Sequence, residues 1–166
     1  MAKKVADQLV DTLEKAGVRR IYAVTGDSLN EVNEAVRKNG RLRWIHVRHE
    51  ETGAYAAAAE AQLTGELACC AGSSGPGHVH LINGLYDAQR SGARVLAIAS
   101  TIPSREFGTE YFQETNTIKL FDDCSYYNQV ATTPEQFPRM LQGAMQAAIS
   151  SCGVGVIGLP GDLAAE

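Results

Sequence analysis

Three short runs, Leu67–Ala71, Arg94–Ala99 and Val154–Leu159, are almost wholly apolar, and the segments between them repeat apolar residues at helical spacing. A strand with no polar side must be covered on both faces, which happens when helices pack on either side of a parallel sheet. Three further segments read as strands, Arg20–Val24, Leu42–Val47 and Ser125–Val130. Strand and helix alternate along the chain, which predicts an α/β fold: a three-layer α/β/α arrangement around a mainly parallel six-stranded sheet.

The helices are bounded by recognisable signals. Val5, Leu9, Leu13 and Ala16 share a face, and Gly17 stops that helix. Asp27 or Ser28 is placed to cap a second helix through Val32 and Val36, ended by Asn39-Gly40. An alanine-rich helix starts near His49 and ends at Gly65, its small side chains suited to close contact with a neighbouring backbone. Pro76 opens a helix through Leu81, Leu85 and Ala88. A short helix spans Thr115 to Phe121, and Thr133-Pro134 reads as cap and first residue of a helix running to about Ile149. Residues 101–113 have neither period, and an irregular stretch of that length in a compact domain is usually functional.

Composition excludes several classes of function. The chain has 166 residues, enough for one domain with a real core, and 45% of them are hydrophobic against 20% charged. A net charge of −4 without a Lys/Arg cluster argues against a nucleic-acid surface, and no nucleic-acid partner is expected. Lys3 and Lys4 lead into an amphipathic helix rather than a signal sequence, and no apolar run reaches the roughly 18 residues of a membrane span. These features predict a cytoplasmic location. Cys69, Cys70, Cys124 and Cys152 show no metal-binding spacing and read as small buried hydrophobes, with Cys69 and Cys70 on opposite faces of one strand. His78 and His80, two apart on a helix, face different ways, so no metal site is expected.

The chemistry gathers beyond the carboxyl ends of strands. Glu50, in Arg48-His-Glu-Glu51, stands where an apolar strand meets the alanine-rich helix. A carboxyl group kept from water there holds a proton more readily and can share it with a ligand nitrogen, although junction carboxylates also serve as plain helix-terminal charges. Gly72-Ser-Ser-Gly-Pro-Gly77 follows a strand and precedes a helix with no large side chain, which suits a ligand against the backbone or an ordinary tight turn. Gly26-Asp27-Ser28 is a second such turn, and Tyr111-Phe-Gln-Glu114 brings aromatics into the irregular stretch, where a ligand or partner would cover them. Right-handed crossovers put all four on one sheet edge. Gly153-Val-Gly-Val-Ile-Gly158 matches a dinucleotide-binding string but lies inside a strand, so it is rejected.

Taken in order, Gly26-Asp-Ser-Leu-Asn30, Arg48-His-Glu-Glu51, Ser74-Gly-Pro-Gly77 with Leu81-Ile-Asn-Gly-Leu85, Pro103, Tyr111-Phe-Gln-Glu114 and Leu159-Pro-Gly-Asp162 resemble the N-terminal pyrimidine-binding (PYR) domain of thiamine-diphosphate-dependent enzymes. The resemblance covers essentially residues 1–166 and is closest to the pyruvate oxidase and quinone-dependent pyruvate dehydrogenase branch, with acetolactate synthases and related decarboxylases sharing much of the pattern. It implies that Glu50 is catalytic, hydrogen-bonding N1′ of the cofactor's aminopyrimidine so that the thiazolium C2 proton is lost more readily. Gly26, Gly75, Pro76 and Gly77 are implied to bind the cofactor, and Asp27, Ser28, Phe112 and Gln113 to face a 2-oxo acid substrate, pyruvate in the oxidase branch.

The same resemblance implies regions beyond this chain. Magnesium and the diphosphate are held in the family by a domain with a Gly-Asp-Gly motif, and FAD by a middle domain; neither motif is present here, since Gly26-Asp-Ser and Gly161-Asp-Leu do not substitute. The chain is therefore expected to be an excised domain or one subunit of a split enzyme, inert alone. It is expected to complete its site with the diphosphate-binding domain of a second subunit in a dimer or tetramer, peripheral at the inner membrane in the quinone-linked case. Rival readings are the separate subunit of another 2-oxo acid decarboxylase, and a noncatalytic interaction domain that kept the fold.

Overall fold

The computed structural model describes residues 3–166. Its strands are β1 (Arg20–Ala23), β2 (Arg43–His46), β3 (Ala68–Gly72), β4 (Val95–Thr101), β5 (Tyr127–Val130) and β6 (Val154–Pro160). They form one sheet in the order β2-β1-β3-β4-β6-β5, with every neighbouring pair parallel. The helices are α1 (Val5–Lys15), α2 (Asn30–Asn39), α3 (Glu50–Thr64), α4 (Pro76–Val79), α5 (Ile82–Ser91), α6 (Thr117–Phe121) and α7 (Phe137–Ser151). The α/β expectation is borne out, with a sheet that is wholly parallel. Among the described residues no helix is long and apolar enough to cross a membrane.

Two cores account for the three layers. Leu9, Leu13, Val32, Phe137 and Leu141 from α1, α2 and α7 pack on one face of the sheet, against Ile21, Cys69, Ile98 and Ile157. Ala54, Ala57, Leu81, Leu85 and Phe121 pack on the other, against Cys70, Val95, Ala97 and Val156. Each fully buried leucine or phenylalanine of this kind contributes about 2 kcal/mol. The alternation of β3 thus sends Cys69 and Cys70 to opposite layers. Burial pushes the Cys70 thiol up to about 12 and the Cys124 thiol up to about 11, so both stay protonated and behave as small apolar groups. Cys152 departs from the expectation: it is exposed, in a left-handed conformation that closes α7.

The alanines of α3 let α5 approach closely. A Cβ at Gly84 would stand 2.5 Å from the Ala54 Cβ, so the two backbones touch where a larger residue could not fit. Several boundaries differ from the sequence reading. α7 starts at Phe137 rather than at Thr133-Pro134, because Pro138 has no N–H and is tolerated only in a helix's first turn. A start at Pro134 would put that second proline one turn inside. The helix opened by Pro76 breaks at His80-Leu81 into α4 and α5, and α6 starts at Thr117 under an Asn116 cap. Neither Asp27 nor Ser28 caps α2, which is entered through a tight turn at Asp27–Leu29.

Candidate functional site

The strand order reverses direction at β1, flanked by β2 on one side and β3 on the other. α2, which follows β1, lies in one outer layer, and α5, which follows β3, lies in the other. The connections after β1 and β3 therefore part company and leave a crevice at the carboxyl edge, where open α/β sheets bind ligands. The loops 24–29 and 73–75 form its walls.

Glu50 is the first residue of α3 and is 9% exposed. A carboxylate there meets the partial positive charge of a helix N-terminus. Its Oε2 lies 3.1 Å from His80 Nδ1, and among the described residues His80 is its one hydrogen-bond partner. His49 caps the same helix, its Nδ1 accepting the Glu51 N–H at 3.3 Å, and its ring stacks on His80 with centroids 4.4 Å apart. Glu50 Oε1 faces Gly77: a Cβ at that position would sit 3.4 Å from Oε1 and 2.8 Å from Ser73 Oγ.

The other glycines are also filled against protein. A Cβ at Gly26 would fall 2.4 Å from the Ser73 side chain, so this turn and the β3 turn interlock. Gly75 has φ +65°, and a Cβ there would meet Gln113 Cβ at 2.7 Å. Gln113 itself has φ 66°. The small residues read from sequence as a ligand face thus first of all let three loops pack together; Pro76 is exposed, whereas Gly75 and Gly77 are buried.

Across this joint lies a cavity of about 230 Å³ lined by Asp27, Ser28, Ser74, Phe112, Gln113 and Asp162, among others. Ser74 N donates to Ser28 Oγ at 2.9 Å, and Ser74 Oγ donates to Gln113 Oε1 at 3.1 Å. The fold therefore gathers Asp27, Ser28, Phe112 and Gln113 around one small space. Glu50 is not among its lining residues; it belongs to a neighbouring cluster with Gly77 and His80, joined to the cavity through Ser73 and Ser74. A larger groove of about 730 Å³ runs beside Phe107, Tyr111, Ile118 and Val130; it shares Tyr111 with the small cavity, and Glu50, Asp27, Ser28, Phe112 and Gln113 do not line it.

The stretch after β4 is tied down rather than formless. Asp162 accepts the Ser104 N–H at 2.9 Å, the Ser104 hydroxyl at 2.8 Å and the Leu163 N–H at 3.0 Å. Partial burial would raise its pKa, but these hydrogen bonds from Ser104 and Leu163 outweigh it and hold the carboxyl below its usual value. Glu114 accepts the Gly108 N–H at 2.6 Å and the Tyr111 N–H at 3.2 Å. His78 fixes the far end: its Nδ1 donates to the Ser100 carbonyl at 2.8 Å, so its Nε2 accepts from the Thr115 hydroxyl at 2.5 Å. Burial pushes the His78 pKa down, against the Ser100 hydrogen bond that raises it. Sequence reasoning missed these anchors. The Pro-Gly-Asp turn was the one local signal that could have pointed to Asp162.

Residues 3–120 match the family model described as "Thiamine pyrophosphate enzyme, N-terminal TPP binding domain". The chain belongs to this family. It is 56% identical to an uncharacterized 42.6 kDa protein of Pseudomonas amyloderamosa over 97% of its own length and 41% of that protein's. It is 45% identical over its whole length to the putative thiamine pyrophosphate-containing protein YdaP of Bacillus subtilis, 29% of which is covered. It is 38% identical over 93% of its length to pyruvate oxidase of Lactiplantibacillus plantarum, 26% of which is covered. Acetolactate synthases are also similar to it. The chain thus spans less than half the length of the relatives it matches.

The site of this TPP-binding domain fits part of a thiamine cofactor. Glu50 is sheltered, its Oε2 paired with His80 and its Oε1 without a hydrogen-bond partner among the described residues, an arrangement able to pair with a ring nitrogen. Among the described residues, the lining of the neighbouring cavity contains two carboxylates and no Lys or Arg.

Proposed function

We propose that this chain is the cofactor-activating N-terminal domain of a pyruvate-decarboxylating oxidoreductase, of the pyruvate oxidase or quinone-dependent pyruvate dehydrogenase type. The observation that carries the reading is Glu50, sheltered at the mouth of the β1/β3 crevice with one carboxylate oxygen held by His80 and the other turned to the Gly77 turn. The 38% identity to a pyruvate oxidase supports the choice of branch. When bound, thiamine diphosphate supplies the carbon nucleophile and the electron sink that decarboxylation of a 2-oxo acid requires.

Glu50 holds a proton against N1′ of the aminopyrimidine and returns it as the reaction proceeds. Gly75, Pro76, Gly77 and Gly26 shape the wall on the pyrimidine side. Asp27, Ser28, Phe112 and Gln113 bound the small cavity in which the substrate's reacting carbons are held, and Phe112, 79% exposed here, is shielded once the site is complete. Magnesium and FAD are bound by regions outside this chain. The diphosphate-binding domain of a second subunit completes the site, and Tyr55, Leu63 and Tyr86, exposed on α3 and α5, belong to the surface that meets it. The complete protein works in the cytoplasm or at the inner face of a membrane.

Glu50→Gln in the complete protein tests this. The amide cannot share a proton with N1′, so hydrogen–deuterium exchange at the cofactor's C2 slows by orders of magnitude while circular dichroism stays unchanged. Exchange at the wild-type rate in the folded variant rules the assignment out.

A further inference from the structure

The fold brings His49, Glu50 and His80 together so that one nitrogen of each imidazole and a carboxylate oxygen lie within 4.8 Å of one another. The geometry points to a binding site for a borderline transition-metal ion such as Zn²⁺ on these three residues. Two ligands of one zinc ion, each about 2.0–2.2 Å from it, stand at most about 4.4 Å apart. His80 Nδ1 and Glu50 Oε2, at 3.1 Å, are already within that span. The rings are stacked with their planes 26° apart, so their lone pairs do not yet converge, and His49 has to swing out of the stack to complete the set. The imidazoles of His49 and His80 are 47% and 44% exposed, so His49 can do so without disturbing the core.

The surroundings fit a ligand set. Glu50 is anionic when it coordinates and has no Lys or Arg paired with it among the described residues. When His49 coordinates through Nε2, its Nδ1 carries the proton, and Glu51 Oε2, 3.7 Å from Nδ1, is placed to accept it. A carboxylate behind a metal-bound imidazole is the usual means of orienting such a ring. Giving up the 3.3 Å cap to Glu51 N costs little, because that hydrogen bond is long. Glu51 is itself steadied by Asn83, whose amide donates to Oε1 at 2.9 Å. Two nitrogens and one oxygen with a side open to solvent suit Zn²⁺, Co²⁺ or Cu²⁺ and not Mg²⁺, which prefers oxygen ligands and keeps its water.

A metal ion on Oε2 keeps Glu50 ionised, so its carboxyl has no proton to share with a ring nitrogen. If the function proposed above holds, metal and aminopyrimidine compete, and the ion acts as an inhibitor of cofactor loading. The metal site itself stands apart from that reading and is tested on this chain without cofactor. Co²⁺ is titrated into the protein and its visible absorption followed. The expected result is a band that saturates at one equivalent, disappears on adding Zn²⁺ and survives excess Mg²⁺. His49→Ala and His80→Ala each weaken binding about tenfold or more, as loss of even an outer-sphere partner does. His46→Ala, outside the cluster, leaves binding unchanged. Both imidazoles are half-exposed, so one folded variant of the two suffices. No saturable band in the wild-type chain, or equal loss in His46→Ala and His80→Ala, overturns the site. Neither outcome bears on C2 exchange in Glu50→Gln, so the two readings fail separately.

Discussion

Two parts of the carboxyl edge are built in different ways. The β1/β3 rim, with Glu50, Ser73, Gly75, Gly77 and His80, stands on helix starts and strand ends, and its glycines are packed to the point that a single added carbon would clash. The segment after β4 carries Phe112 and Gln113 on irregular backbone held by a few polar anchors, with Glu110 and Gln113 at positive φ and Phe107, Tyr111 and Phe112 exposed. The role proposed for Glu50, sharing a proton at one atom, calls for the first kind of support. The substrate-facing roles proposed for Phe112 and Gln113 suit the second, where order rests on hydrogen bonds that can be exchanged.

The sharpest way to break that contrast is at the joint between the parts. Gly75→Ala forces a side chain into a left-handed position and onto Gln113, and is expected to destabilise the domain by about 2 kcal/mol, read as a lower urea midpoint. An unchanged midpoint would mean the loops move apart freely. His78 probes the same joint through pH. Its folded pKa lies below the unfolded value of 6.5, so the unfolded state takes up the proton first and stability falls as pH drops below about 6.5. The fall between pH 7 and 5.5 should be smaller in His78→Asn; equal slopes would contradict the burial argument.

Asp162→Asn tests the polar anchoring of the loop. Losing the charge behind the Ser104 hydrogen bonds should cost about 1 kcal/mol and speed amide exchange over residues 104–116, with the rim unaffected. Because its folded pKa is depressed, the wild-type contribution is present above the unfolded pKa near 4 and is lost as pH falls through the lower, folded value. The acid unfolding curve of the variant should lack that component. Phe112→Ala is expected to change stability by no more than about 0.5 kcal/mol, since the ring is largely in solvent. A larger loss would show that this aromatic is part of the domain's own packing.

The fold was readable to a considerable degree because its signals are local. The apolar runs of β3, β4 and β6 announced buried strands, and the small residues of α3 announced a close helix contact, found at Gly84. Reading went astray where two local signals compete, as at Pro134 and Pro138, and where a hydroxyl turned out to bridge loops, as Ser28 does to Ser74, instead of capping its own helix.

Residue order by itself determined the alternation of elements, the all-round burial of the central strands and the placing of Glu50 at a strand–helix junction. Period and end signals act over a few residues and need no partner. Only the tertiary structure decided that β6 enters between β4 and β5, that Asp162 holds the backbone at Ser104, and that His80 meets Glu50 beneath the His49 ring. Those pairings join residues far apart in the chain, and which of them form is set by how the helical layers close over the sheet.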